Sequence, residues 1–237
     1  MMAKKHIMIA AAVVLLAAPS ARPDEDVHST RRRDMVERQI KARGVDDERV
    51  LAAMEKVERH RFTPAYLRDA AYHDSPLPIG RGQTISQPYI VAFMTEAAGI
   101  GPEDRVLEIG TGCGYQAAVL AELAKEVYTI EIIKELADTA GKRLKKLGYG
   151  NVKVRWGDGY EGWPEFAPYD AIIVTAAPAE APKELMKQLK AGGRMVVPVG
   201  SLFQELYLIE KTNGGYRKKA LLPVRFVPMV KGDEDGS

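Results

Sequence analysis

Apolar positions along the chain change their period twice. Between residues 34 and 58, Met35, Ile40, Val50, Leu51, Met54 and Val57 recur at helical spacing, with Gly44 and Asp46 dividing two helices. The Asp46-Asp47-Glu48 cluster suits the positive end of the second helix. From residue 60 to 90 the periodicity is lost. Pro64, Pro76, Pro78, Gly80, Gly82 and Pro88 exclude long helices there, and the stretch reads as loop-dominated. Such stretches often carry function. A helix is expected from near Pro88 to about Ala98.

From Asp104 onward, short apolar runs alternate with amphipathic ones. Strands are expected at Arg105–Ile109, Val127–Glu131, Val152–Trp156, Asp170–Thr175 and Arg194–Val199, and helices at Tyr115–Lys125, Lys134–Leu147 and Pro182–Leu189. Glu205–Glu210 and Arg217–Pro223 flank Asn213-Gly214, the signature of a hairpin turn. The alternation predicts an α/β fold, a doubly wound, mostly parallel Rossmann-like sheet with an antiparallel C-terminal hairpin and N-terminal helices.

The division expected along the chain runs as follows. Residues 1–20 form an export signal: Lys4 and Lys5 precede an uncharged apolar run, Ile7 to Ala18, too short to span a bilayer, and Ala18-Pro19-Ser20 offers small residues for cleavage. An uncleaved anchor or a start placed too far upstream are the alternatives. Residues 21–33, with Arg31, Arg32 and Arg33 in a row, read as a polar linker, the arginine run being a solvated linker or helix face. Residues 34–98 supply N-terminal helices and a substrate loop, packed as one globular unit with a cofactor-binding core over 99–230; residues 231–237 are a flexible tail.

Composition narrows the chemistry. The 237 residues carry 34 basic and 32 acidic side chains, a formal net charge of +2, so no nucleic-acid footprint is expected. The single cysteine, Cys113, excludes an intramolecular disulfide and a cysteine-based zinc site. His6, His28, His60 and His73 show no metal-ligand spacing. A metal-free mechanism is expected.

The richest segment is Val106-Leu107-Glu108-Ile109-Gly110-Thr111-Gly112-Cys113-Gly114-Tyr115, where a strand turns into a helix. Glycines allow close approach of a ligand, which would lie beyond the carboxyl ends of the strands. A dinucleotide fingerprint would need its third glycine at 115, which is Tyr115. Glu108 before the loop suits a cationic ligand and opposes a pyrophosphate; read alone it is a strand-end acid. Glu131, at the end of the second strand, can accept hydrogen bonds from ribose hydroxyls, a placement shared with NAD-binding proteins. Asp158, in Gly157-Asp158-Gly159, can receive an adenine amino group or simply make a turn.

Glu108 to Tyr115 resembles motif I of class I methyltransferases. Upstream, Gly82-Gln83-Thr84-Ile85-Ser86-Gln87-Pro88-Tyr89 resembles the signature of the protein-L-isoaspartate O-methyltransferase family, and it is far more specific. Arg59-His60-Arg61-Phe62 before Tyr66, the Tyr72-Asp74-Pro76-Leu77 stretch and Leu189–Arg194 before Pro198-Val199-Gly200 are similar to that family too, so the resemblance covers about residues 32–230. It implies transfer of a methyl group from S-adenosylmethionine to the α-carboxylate of L-isoaspartyl residues in damaged proteins and peptides, with Ser86 at the catalytic position. It implies Thr84 and Ile85 beside the cofactor. Glu108, Gly110, Thr111, Gly112, Gly114, Glu131, Asp158 and Gly159 would hold the cofactor, and Gln204 is a looser carry-over.

A carboxylate nucleophile needs no general base, since an α-carboxyl has a pKa of roughly 3.3–3.7. Ser86 is then an orienting donor rather than a covalent nucleophile; the plainer reading is an N-cap for the helix entering at Pro88. Rival readings are a class I methyltransferase for a small molecule or lipid, and a non-catalytic binding protein on the same fold. The expected protein is a monomer without stable membrane association once its signal is removed. The family is mostly cytosolic; the leader points to export into the periplasm here.

Overall fold

The computed structural model of the chain describes residues 23–232. The expected export signal over 1–20, and residues 233–237 of the expected tail, lie outside the described residues. Over the described part of 21–33 the helix-face reading applies: Pro23–Asp34 is helical (α1) and continues through a π turn at Met35–Ile40. Its sequence is strongly polar, so docking rather than propensity explains the helix. Arg31 pairs with Asp69 at 2.9 Å, Arg32 donates to the Glu55 carbonyl, and His28 stacks on His60 with ring centres 4.0 Å apart.

The second helix, α2 (Glu48–Lys56), starts at Asp47, whose carboxylate accepts the Arg49 N–H at 2.9 Å. The stretch expected to be loop then contains a small antiparallel hairpin, β1 (Leu77–Gly80) and β2 (Gln83–Ile85). Its turn is built from consecutive positive-φ residues, Gly80, Arg81 and Gly82. Helix α3 (Pro88–Ala98) follows, with proline in its first turn, where the missing N–H costs nothing, and left-handed Gly99 ending it.

The remaining elements are β3 (Arg105–Ile109), α4 (Tyr115–Ala121), β4 (Glu126–Glu131), α5 (Lys134–Lys146), β5 (Val152–Trp156), β6 (Tyr169–Val174), α6 (Lys183–Lys187), β7 (Leu189–Val199), β8 (Gln204–Thr212) and β9 (Gly215–Val224). One sheet takes seven of these strands in the order β5-β4-β3-β6-β7-β8-β9. The first five run parallel; β8 and β9 add antiparallel. Strand β7 begins five residues earlier than the apolar pattern implies: Leu189 pairs with Tyr169, and the register then shifts so that Arg194 pairs with Ala171, leaving the exposed Lys190–Gly192 without a buried side chain to reveal the strand.

Period-two alternation buries both faces. In β6, Ala171 and Ile173 join one core cluster while Ile172 and Val174 join the other, and Val196 is separated from Met195 and Val197 in the same way. The first cluster also takes in Met35, Met54, Phe62 and Ile85, so the N-terminal segments share a core with the sheet. The chain leaves β3 toward β4 and later crosses back to β6 on its other side. The carboxyl ends of β3 and β6 therefore part around a crevice.

Candidate active site

A cavity of about 660 Å³ occupies that crevice. Its floor is the glycine turn. Gly110 holds φ +98°, and a Cβ there would sit 2.3 Å from Thr175 Oγ1, which donates to the Gly110 carbonyl at 2.8 Å. Gly112 follows with φ +53°, and its N–H donates to Glu131 Oε2 at 2.7 Å. The Ile133 N–H donates to the other oxygen, Oε1, at 2.9 Å. Two main-chain donors thus orient the Glu131 carboxylate, and each oxygen keeps a lone pair for a ligand.

Glu108 behaves differently. It is fully buried and is not among the residues lining the cavity. Its Oε2 accepts the Thr129 hydroxyl at 2.5 Å, which in turn accepts from Thr111 at 2.7 Å; its Oε1 has no hydrogen-bond partner. Burial, with the nearby Glu131 charge adding to it, pushes its carboxyl up to about 8. Thr111 is likewise buried behind the turn. Gly114, φ +88°, caps the start of α4; a Cβ there would come within 3.2 Å of Leu144, and the residue does not line the cavity.

The sequence-predicted residues divide accordingly. Thr84, Ser86, Gly110, Gly112, Glu131 and Gly159 line one cavity. Ile85 lies in the core. Asp158 has both oxygens engaged, accepting the Tyr160 N–H at 2.7 Å and the Gly232 N–H at 3.0 Å. Gln204 grips the main chain of Phe226 from both sides: its Oε1 accepts the Phe226 N–H at 2.6 Å and its Nε2 donates to the Phe226 carbonyl at 3.0 Å.

Ser86 closes the β2 side of the cavity. The N-cap of α3 is Gln87, not Ser86, and among the described residues the Ser86 hydroxyl forms no hydrogen bond. Its carbonyl is fixed instead, accepting from Arg59 Nη2 at 2.8 Å. Arg59 is fully buried, donates from Nε to the Ala71 carbonyl at 2.7 Å, and lies 4.8 Å from the centre of the Tyr115 ring. Burial pulls its pKa below the ordinary value.

Sequence reasoning missed Arg59 as a buried clamp, and it missed one whole wall. Residues 223–230, the end of β9 and the segment that follows it, run along the cavity, held by a parallel bridge between Ala177 and Pro228. The alternation in Val224-Arg225-Phe226-Val227 was the available signal. Among the described residues no three His, Cys, Asp or Glu side chains gather as metal ligands.

A parallel sheet with this switch point, a glycine turn and an anchored acid after the next strand defines a nucleoside-binding α/β protein of the methyltransferase class. Comparison with known proteins is specific. The sequence model of protein-L-isoaspartate(D-aspartate) O-methyltransferase matches residues 30–234, and the chain belongs to that family. It is 58% identical over 198 residues to a protein-L-isoaspartate O-methyltransferase of Picosynechococcus, spanning 84% of this chain and 89% of that one. It is 63% identical over 186 residues to protein-L-isoaspartate O-methyltransferase 1 of Nitrosospira multiformis, spanning 77% and 79%. Among solved structures, a protein-L-isoaspartate O-methyltransferase superposes with a TM-score of 0.76 at 34% identity, over 83% of this chain and 65% of that one. A Plasmodium falciparum family member in complex with S-adenosyl-L-homocysteine superposes with a TM-score of 0.75 at 27% identity, over 85% and 99%.

Proposed function

We propose that this protein repairs damaged proteins by transferring a methyl group from S-adenosylmethionine to the α-carboxylate of L-isoaspartyl residues. The observation that carries the reading is one cavity faced at once by the glycine turn, the Glu131 carboxylate and the unengaged Ser86 hydroxyl. The residues present fit the donor. A side chain at Gly110 would strike Thr175, so only glycine lets the turn pack there and hold its left-handed backbone at the cavity floor. Glu131 offers oriented lone pairs to hydroxyls, and the cavity volume suits a nucleoside ligand with part of a peptide. The donor, when bound, supplies an electrophilic methyl group.

The chain's own part is positioning. The nucleophile is ionised at neutral pH, so no base has to stand beside it. Ser86 donates its hydroxyl proton as a hydrogen bond and orients the carboxylate. Arg59 fixes the Ser86 main chain through its carbonyl, which turns a flexible strand end into a defined donor. The β1–β2 hairpin and residues 223–230 close over the reacting groups and limit water.

A pair of peptides differing only in isoaspartate versus aspartate, offered with methyl-labelled donor, tests the reading. Base-labile label in the isoaspartyl peptide alone is the expected result. Label in neither, with donor binding intact, would move the search to other substrates.

Three finer readings accompany it. Residues 34–98 and 99–230 work as one unit, as their shared core favours. The protein acts as a monomer; light scattering at assay concentration tests that. The Lys4-Lys5 pair and the apolar run after it export the protein, and a mature form in its host lacking residues 1–20 by mass is the expected finding. No helix among the described residues is long and apolar enough to cross a membrane.

A further inference from the structure

Two charged side chains line the cavity, one of each sign: Glu131 and Arg225. Glu131 is tied down by two main-chain donors. Arg225 is its opposite. Its side chain is exposed, and among the described residues it forms neither an ion pair nor a hydrogen bond. The main chain beneath it is nevertheless fixed on both sides. Before it, Val224 ends β9 in register with Gln204, and after it Phe226 is gripped by the Gln204 side chain. One residue further, the Val227 carbonyl accepts the Ala177 N–H at 2.8 Å. A free cation therefore stands on a rigid segment of cavity wall without a protein counter-ion.

We propose that Arg225 is the subsite for the substrate's carboxylate, an assignment that rests on the methyltransferase reading above. The charge balance of the reaction gives the role its shape. A new bond forms between a carboxylate oxygen and the methyl carbon as the sulfur–methyl bond breaks. Its electron pair stays on sulfur, and no proton moves. An anion and a cation become two neutral groups, so charge is partly lost at the transition state. A fixed cation beside the carboxylate then stabilises the reactant more than the transition state. A buried pair there would hinder turnover, whereas an exposed, screened guanidinium captures the anion and releases the neutral ester. Arg225 serves capture and Ser86 serves orientation. Gln204 acts at a distance, by holding the segment that carries Arg225.

A carboxylate is present on the donor's amino-acid end as well as on the isoaspartyl residue, so the experiment must separate the two. It uses the full chain and its Arg225→Gln and Arg225→Lys variants, with an isoaspartyl peptide and, separately, calorimetry of donor binding. Melting temperatures should match, since among the described residues the Arg225 side chain makes no ion pair or hydrogen bond. The expected result for Arg225→Gln is a peptide KM raised roughly tenfold, as for loss of one charge-assisted contact, with kcat changed less than about twofold and donor affinity intact. Arg225→Lys should recover most of the loss. Added salt should raise the wild-type KM and leave that of Arg225→Gln nearly flat. Weakened donor binding with an unchanged peptide KM would assign the arginine to the donor's carboxylate and overturn the proposal, as would no change in either. A wild-type chain that labels no isoaspartyl peptide would overturn the repair reading itself, while a labelling wild type with an indifferent Arg225→Gln variant overturns only the subsite.

Discussion

The floor and the rim of the cavity are built by different means. The floor, at the ends of β3 and β4, is held by main-chain geometry: positive φ at Gly110 and Gly112, with backbone N–H groups on Glu131. The rim, over residues 77–90 and 223–230, is held by side chains that reach distant carbonyls and amides, Arg59 to Ser86 and Gln204 to Phe226. A floor of that kind fails when any side chain is added. A rim of that kind fails when one donor is removed.

The largest effect should come from the floor. Gly110→Ala meets both an unfavourable left-handed backbone and Thr175 Oγ1 at 2.3 Å. A loss of about 2 kcal/mol or more in stability is expected from strain of this kind, with donor binding abolished. Denaturant titration and calorimetry report the two separately. If Gly110→Ala bound donor normally, the main-chain account of the floor would fail.

Next comes the rim's clamp. Arg59→Met leaves the Ala71 and Ser86 carbonyls without their donor while removing a buried cation that has no carboxylate beside it. The unpaired carbonyls, at about 1–3 kcal/mol each, should outweigh the relief of desolvation and leave the protein less stable. Arg59→Lys, which keeps one donor, should fall between. A variant as stable as the parent would show that the clamp is dispensable.

Ser86→Ala should be milder for the fold and specific for turnover. About a tenfold fall in kcat, worth near 1.4 kcal/mol, is expected with donor affinity unchanged. Equal losses in both would remove Ser86 from the orienting role.

The last test is read through pH and separates the two acids. Glu108 in the fold titrates near 8, above the ordinary 4.5, because burial opposes its charge. The folded state then binds the proton more tightly than the unfolded chain. That contribution is complete below about pH 4.5 and is lost as pH rises through about 8. Glu108→Gln should flatten the fall in melting temperature between pH 5 and pH 8. An unchanged slope would mean that Glu108 does not govern it.

What could be read from sequence follows the same division. The turn at 110–114 was legible because its glycines sit beside a strand, and Glu131 because it ends the next one. The sheet was legible because strands buried on both faces, such as β3, β4 and β6, read as short, near-continuous apolar runs. Glu108 and Glu131 both read in sequence as strand-end acids beside a cofactor. Both are buried, but only Glu131 lines the cavity, and a strand's period does not say how far a side chain stands from a cavity. Arg59 looked like one of several basic residues near Phe62, because a guanidinium paired with carbonyls twelve and twenty-seven positions away leaves no local pattern. Helix α1 was hidden for a related reason, its stability coming from what Arg31, Arg32 and His28 touch.

The wall formed by residues 223–230 begins at the end of β9, the last strand in chain order. During synthesis the glycine turn therefore emerges long before the cavity that needs it can close. A nascent chain halted after β7 would carry the complete glycine motif and still lack Arg225, Phe226 and the Gln204 clamp. Competence to modify other proteins arrives late, when most of the fold is already out of the ribosome, so an incomplete copy of this chain is a poor candidate to methylate its neighbours.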